Sequence, residues 1–184
     1  VALRFINLAA GTARQKIGGG SMYRNILLPT DGLGKCEYGT CHGVLLAKGL
    51  GAKVTAVCVT KDISIQEMRK IYDAELLVAA SAGEVARGAK KRAEDLHKEL
   101  AANSLAVAEK MCAENGVQCE KVSLAGESPA EGIMKAAKER ECDLIFISTH
   151  GNPGLMGTLF GTVASKVLSH SKIPVLVHHC GGPN

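Results

Sequence analysis

The sequence predicts an open α/β fold built on a parallel sheet, and three observations carry that prediction. Short apolar, β-branched runs recur at 25–29, 54–59, 117–125, 144–147 and 173–179, of the length and texture of strands buried on both faces. Stretches with apolar residues at three- and four-residue spacing stand between them, and such alternation argues for right-handed βαβ crossovers. The chain of 184 residues, 46% apolar and 22% charged, suits one globular domain with a sizeable core.

Residues 1–21, VALRFINLAAGTARQKIGGGS, read as an appended peptide ending in what resembles an engineered glycine linker. The single domain is expected to span 22–184. Arg4 and Asn7 interrupt the apolar run that a signal peptide would need. Val1, Leu3, Phe5, Ile6 and Leu8 are expected to dock on an apolar surface of this or a neighbouring chain.

Asn25-Ile26-Leu27-Leu28-Pro29 is the first strand and ends in Thr30-Asp31-Gly32. A carboxylate at the carboxyl end of a buried strand is costly unless it caps a turn or meets a ligand, and both readings of Asp31 stand. Residues 36–50 make a helix with Cys41, Val44, Leu45 and Ala47 on its apolar face and Gly51 as its stop. After the second strand at 54–59, Ile63, Ile65, Met68 and Ile71 suggest a short amphipathic helix, and 79–83 a joint. A long helical pattern covers 84–115, with Leu96, Leu100, Val107 and Met111 at helical spacing and Asn115-Gly116 as its end. Lys90, Lys91 and Arg92 read as its solvated face.

The third strand, 117–125, leads to Ser128-Pro129-Ala130-Glu131, a capping box with proline at the first helical position. That helix is expected to bury Ile133, Met134 and Ala137 and to end near Arg140. The fourth strand, Leu144–Ile147, runs into Ser148-Thr149-His150-Gly151, nine residues of loop, and Gly161-Thr162 before a helix at 163–171. Strand, glycine loop and helix N-terminus together collect unpaired backbone N–H groups around an anion. Gly151 and Gly161 leave room for a phosphate, and Thr162 is read as the cap that also offers a hydroxyl. The same glycines could serve only sharp turns. A fifth strand, 173–179, carries Pro174 near its start, as at a sheet edge.

Composition narrows the functions. Residues 1–21 hold Arg4, Arg14 and Lys16 and no acid, leaving 19 basic against 18 acidic residues from Met22 onward. With six aromatic residues in all, nothing marks a nucleic-acid surface. No run of about 18 apolar residues marks a membrane span. Seven cysteines without a C-x-x-C pair, with Cys58, Cys119 and Cys142 in or beside apolar runs, point to a reducing, cytoplasmic compartment.

Taken together, the segment Tyr23–Gly32, the loop Ser148–Thr162 and the ending Lys172–Val177 resemble the universal stress protein family over the whole of 22–179. The resemblance implies a doubly wound five-stranded sheet of order 3-2-1-4-5, adenine nucleotide alpha hydrolase-like. It also implies a homodimer, and for many members ATP or AMP binding. The nucleotide-binding branch carries G-x-x-G-x9-G-[ST]. Here it reads Ser148-x-x-Gly151-x9-Gly161-Thr162, so the first glycine is a serine whose side chain either crowds the phosphates or binds them. By the same resemblance Asp31 and Val59 flank the adenine and ribose, and Thr30 lines the crevice. The backbone N–H groups of Thr162 and Val163 meet the phosphates, and His150 is a wall residue rather than a catalyst. Cys36 replaces the helix-opening serine. The implied function is that of a nucleotide-dependent stress-response or signalling homodimer, joined through the edge strand 173–179 and acting on a partner protein whose identity the residues do not give.

No G-x-S-x-G, P-loop lysine or paired-carboxylate motif supplies a catalytic base. Slow ATP hydrolysis with Mg²⁺ or Mn²⁺ held by the nucleotide is the most the resemblance allows. Two other readings are weighed. One is a nucleotide-free family member acting only through protein–protein contacts. The other is a metal or redox site built from Cys36, Cys41, His42, His178, His179 and Cys180, whose spacings match no standard zinc pattern.

Overall fold

The computed structural model describes residues 22–30, 37–60, 83–125, 128–149 and 161–180. The elements in chain order are β1 (Asn25–Thr30), α1 (Glu37–Leu50), β2 (Lys53–Thr60), α2 (Gly83–Glu114), β3 (Cys119–Ala125), α3 (Pro129–Glu139), β4 (Leu144–Thr149), α4 (Thr162–His170) and β5 (Val175–His179). The five strands are parallel in the order β3-β2-β1-β4-β5. The doubly wound sheet expected from the sequence is therefore the observed one. The expected docking of residues 1–21 and the short helix around 63–71 lie outside the described residues.

Each strand sends alternate side chains to opposite faces. Ile26, Leu28, Val54, Ala56, Cys58, Leu144 and Phe146 pack under α1 and α2, with Val44, Ala47, Ala101, Leu105 and Cys112. Leu27, Val57, Val122, Ile145, Ile147, Val175 and Val177 pack under α3 and α4, with Ile133, Ala136, Ala137, Ala164 and Val167. Burial on both faces is why these strands read as continuous apolar runs.

Three helices end in one way. The Ala52, Val117 and Cys142 N–H groups bond the Ala47, Cys112 and Ala137 carbonyls at 2.9, 2.8 and 2.8 Å. In each case the preceding residue is left-handed: Gly51 (φ 64°), Gly116 (φ 69°) and Glu141 (φ 51°). These are Schellman closures, and they return the chain at once to the amino end of the sheet. There Asn25 and Thr55 are buried yet fully engaged. Asn25 donates from Nδ2 to the Arg140 carbonyl (2.7 Å) and accepts from Thr55 Oγ1 (2.9 Å). Asp143 accepts the backbone N–H groups of Arg24 (2.8 Å) and Asn25 (3.0 Å). Buried polar groups are tolerated when paired in this way.

Several local expectations need correction. Leu45 is 47% exposed, because α1 turns its small residues Gly39, Gly43 and Ala47 to the sheet. A Cβ on Gly43 would stand 2.5 Å from Leu28 Cδ1 and 3.1 Å from Phe146 Cδ1, so the close approach itself requires glycine. The buried seam of α2 is Ala101, Leu105, Ala108 and Cys112; Leu100, Val107 and Met111 flank it half-buried. In α3, Ala136 is buried and Met134 is only half-buried. Ser128 occupies the N-cap position, but its hydroxyl makes no capping bond. The N-cap of α4 is Gly161, with Thr162 already the first helical residue and no side-chain cap present.

Candidate functional site

The strand order reverses between β1 and β4, the position where open α/β sheets hold ligands beyond their carboxyl ends. Pairing differs on the two sides of β1. Its bonds to β2 run through six residue pairs, as far as Thr30↔Cys58. Its bonds to β4 cover only Ile26↔Leu144 and Leu27↔Ile145. Beyond those two pairs β1 stays with β2 and β4 stays with β5, whose ladder continues to Thr149↔His179. The two halves of the sheet part toward their carboxyl ends.

The described candidate residues distribute around this division. Thr30 is buried, and its hydroxyl is hydrogen-bonded to Ser104 of α2. Val59 is half-buried at the end of β2 and packs on α3, where a Cβ on Gly132 would stand 2.7 Å from its Cγ1. Thr149 faces α4 and accepts the Gly161 N–H at Oγ1 (3.3 Å). Thr162 and Val163 form the first turn of α4, whose leading N–H groups have no partner within the helix. Asp31, His150 and Gly151 lie outside the described residues.

Ser148 faces the other way. A Cβ placed on Gly39 would stand 2.6 Å from Ser148 Cβ, closer still to its Oγ, and 3.0 Å from Cys180 Sγ. The serine side chain is thus received by a glycine of α1 and turned from the α4 side. Sequence reasoning missed this partnership; the Gly39-x3-Gly43 spacing in α1 was the available signal. Burial pushes the Cys180 thiol up, while contacts from Ser148 and the Gly39 backbone act to lower it.

Beside Ser148, α1 and β5 form an aromatic and imidazole stack. The His42 and His178 rings lie 4.6 Å apart and within 21° of parallel, with Tyr38 4.3 Å from His42 and Phe146 5.7 Å from His178. His42 donates from Nδ1 to the Tyr38 carbonyl at 2.9 Å, since a carbonyl can only accept. His178 Nε2 is buried without a hydrogen-bond partner among the described residues. Burial pushes its pKa down, with His42 and His179 adding to the effect. His42, His178 and Cys180 come together here, whereas His179 sits on the opposite face of β5. Near-parallel rings aim their lone pairs side by side rather than at one point. Among the described residues no group of three His, Cys, Asp or Glu is arranged to hold a metal ion, and no described helix is long and apolar enough to cross a membrane.

Comparison with known proteins agrees with this architecture. The family model described as "Universal stress protein family" matches residues 22–179. The universal stress protein MJ0531 of Methanocaldococcus jannaschii is 31% identical over 159 residues, which is 86% of this chain and 84% of that protein. Among solved structures, the hypothetical protein MJ0577 superposes with a TM-score of 0.62 at 22% identity, covering 88% of this chain and 99% of the other. The universal stress protein from Archaeoglobus fulgidus, solved in complex with dAMP, gives a TM-score of 0.54 at 18% identity, over 85% and 98% of the two chains. The parallel sheet, its strand order and these matches have one conclusion: the chain belongs to the universal stress protein family.

Proposed function

We propose that this universal stress protein binds ATP or AMP in the crevice at the carboxyl ends of β1 and β4. We further propose that it acts as a nucleotide-dependent stress-response or signalling homodimer. The observation that carries the reading is Gly161. Its φ of −57° suits any residue, and among the described residues a Cβ there would approach only Thr149 Oγ1, at 3.9 Å. Among the described residues, neither backbone conformation nor packing requires a glycine at this position. Close approach of an anion to the start of α4 does account for it. The orientation of Ser148 toward Gly39 supports the same reading, because a serine held there does not crowd the α4 side.

In this reading the backbone N–H groups of Thr162 and Val163 hold phosphate oxygens, with Gly151 and Gly161 leaving them room. Asp31 takes the ribose, Val59 and His150 contribute wall, and Thr30 contributes its backbone, its hydroxyl being engaged by Ser104. Mg²⁺ or Mn²⁺ enters only with the nucleotide. The dimer forms through 173–179, since β5 is an edge strand whose outer backbone groups are available for pairing with a second copy.

The test is to denature the purified protein and chromatograph the supernatant. ATP or AMP equimolar with the chain is expected, and Gly161→Val should lose it while retaining its circular dichroism spectrum. Wild-type protein that stays empty after incubation with Mg-ATP would reject the reading in favour of a nucleotide-free interaction protein.

A further inference from the structure

The part of the crevice proposed to take the base and ribose is built from strand ends with few backbone neighbours. Beyond Leu27, β1 is paired with β2 alone, as far as Thr30↔Cys58. β2 itself closes beside it at Val59 and Thr60, both half-buried. Two contacts from the covering helices reach these strand ends, one from each face of the sheet.

The first comes from α2. Thr30 shares a face with Ile26 and Leu28, which pack under α1 and α2, because side chains alternate along a strand. Thr30 is buried, and its hydroxyl is hydrogen-bonded to that of Ser104, 74 residues further along the chain. Ser104 precedes Leu105, which is buried in the α2 seam, so the hydroxyl that meets Thr30 is carried by a packed helix. The second contact comes from α3. Val59 packs on the opposite face of the sheet, against the cluster that holds Val57 and Ile133. Gly132 is buried in the first turn of α3. The three atoms nearest a Cβ placed there all belong to Val59: Cγ1, Cγ2 and Cβ, at 2.7, 2.9 and 3.4 Å. Glycine is a poor helix former, and this contact is what requires it. Any side chain at 132 must turn the valine or lift the helix from the end of β2.

We propose that Ser104 and Gly132 are positioning residues for the nucleoside. Neither touches the ligand; Ser104 fixes the end of β1 through Thr30, and Gly132 fixes the end of β2 through Val59. The inference rests on the nucleotide-binding reading above and divides that site in two. Base and ribose meet strand ends held by α2 and α3, whereas the phosphates meet N–H groups of α4. Affinity for the nucleoside is therefore set by residues with no part in holding phosphate.

The test is to titrate adenosine and Mg-ATP into the full chain by calorimetry. Ser104→Ala and Gly132→Ala should each weaken both ligands by one common factor, about three- to tenfold, the loss expected from one hydrogen bond or packing contact. Gly161→Val, on the phosphate side, should weaken Mg-ATP and leave adenosine unchanged. Ser104→Ala should have no further effect in a Thr30→Val background, nor Gly132→Ala in a Val59→Ala background. A substitution that merely loosens the fold would lower the urea midpoint without this pairing of ligands and partners. Unchanged affinity in either variant, a larger loss for Mg-ATP than for adenosine, or losses that persist in the partner backgrounds would each overturn the inference. Wild-type protein that binds Mg-ATP but not adenosine would overturn it too. Wild-type protein that binds neither ligand would instead reject the nucleotide-binding reading, and this inference with it.

Discussion

Gly39 and Ser148 share one space between α1 and β4, so each residue's identity should depend on the other's. Gly39→Ala would place a methyl carbon 2.6 Å from Ser148 Cβ. The Oγ can rotate away, but the Cβ moves only with its strand. Overpacking of this kind costs about 1–3 kcal/mol, and contact with a Cβ fixed to its strand puts it toward the upper end. Alanine returns about 0.5–1 kcal/mol of helix preference, leaving a net loss of about 2 kcal/mol. For a chain of this size, about 2–4 °C per kcal/mol makes that a fall of about 4–8 °C in Tm. Ser148→Gly alone removes a side chain from a strand interior and should cost about 0.5–1 kcal/mol. In the double variant the new methyl fills the vacated space and the helix preference of alanine offsets the strand glycine, so stability should return to about that of wild type. The coupling of about 3 kcal/mol falls at the upper end of the range for residues in contact. Urea denaturation of the four proteins, read at constant m-value, measures the cycle. Additive losses, or a Gly39→Ala protein as stable as wild type, would refute the packing argument.

Glu141 holds a left-handed conformation that the equivalent turns give to Gly51 and Gly116. Glu141→Gly should therefore raise stability by about 1 kcal/mol, the relief of side-chain crowding exceeding the added unfolded-state entropy; unchanged or lower denaturation midpoints would contradict this. His178 has a folded pKa below its ordinary 6.5, so the unfolded chain binds its proton first. Stability from this group is complete above the unfolded value and falls as pH drops through 6.5 toward the folded one. The groups around it are His42 and Tyr38 of α1, Phe146 and Ser148 of β4 and Cys180 on its own segment, with His179 acting by charge from the opposite face of β5. His178→Phe should flatten part of the acid limb of the stability–pH curve, and a variant whose limb superimposes on wild type would show that His178 is not the group responsible.

The fold was legible because β1, β2 and β4 are buried on both faces and α1 and α2 close on glycine stops, so Leu144–Ile147 or Asn115-Gly116 could be read without tertiary knowledge. What escaped was set by size and contact. Leu45 looked like core by spacing, but Gly39 and Gly43 of α1 brought a different face to the sheet. The described α2 seam is mostly small, Ala101, Ala108 and Cys112 around Leu105, and the larger Leu100, Val107 and Met111 drew attention to its flank. Glu141 gave no sign of a left-handed turn, because glycine is the residue that announces one. At the crevice, the motif glycine at 161 was visible in the sequence, whereas the partnership of Ser148 with Gly39 spans more than a hundred residues and was signalled only by the Gly39-x3-Gly43 spacing, which does not name its partner.

The Schellman closures also divide the molecule by tolerance to insertion. Helix-to-strand connections take two, four, four and four residues, whereas strand-to-helix connections take six, twenty-two, three and twelve. Short connections with bonded backbone cannot lengthen without losing a helix end. The amino edge of the sheet therefore behaves as a chassis, and a peptide grafted at 51–52, 115–118 or 140–143 should cost a helix end and the stability it carries.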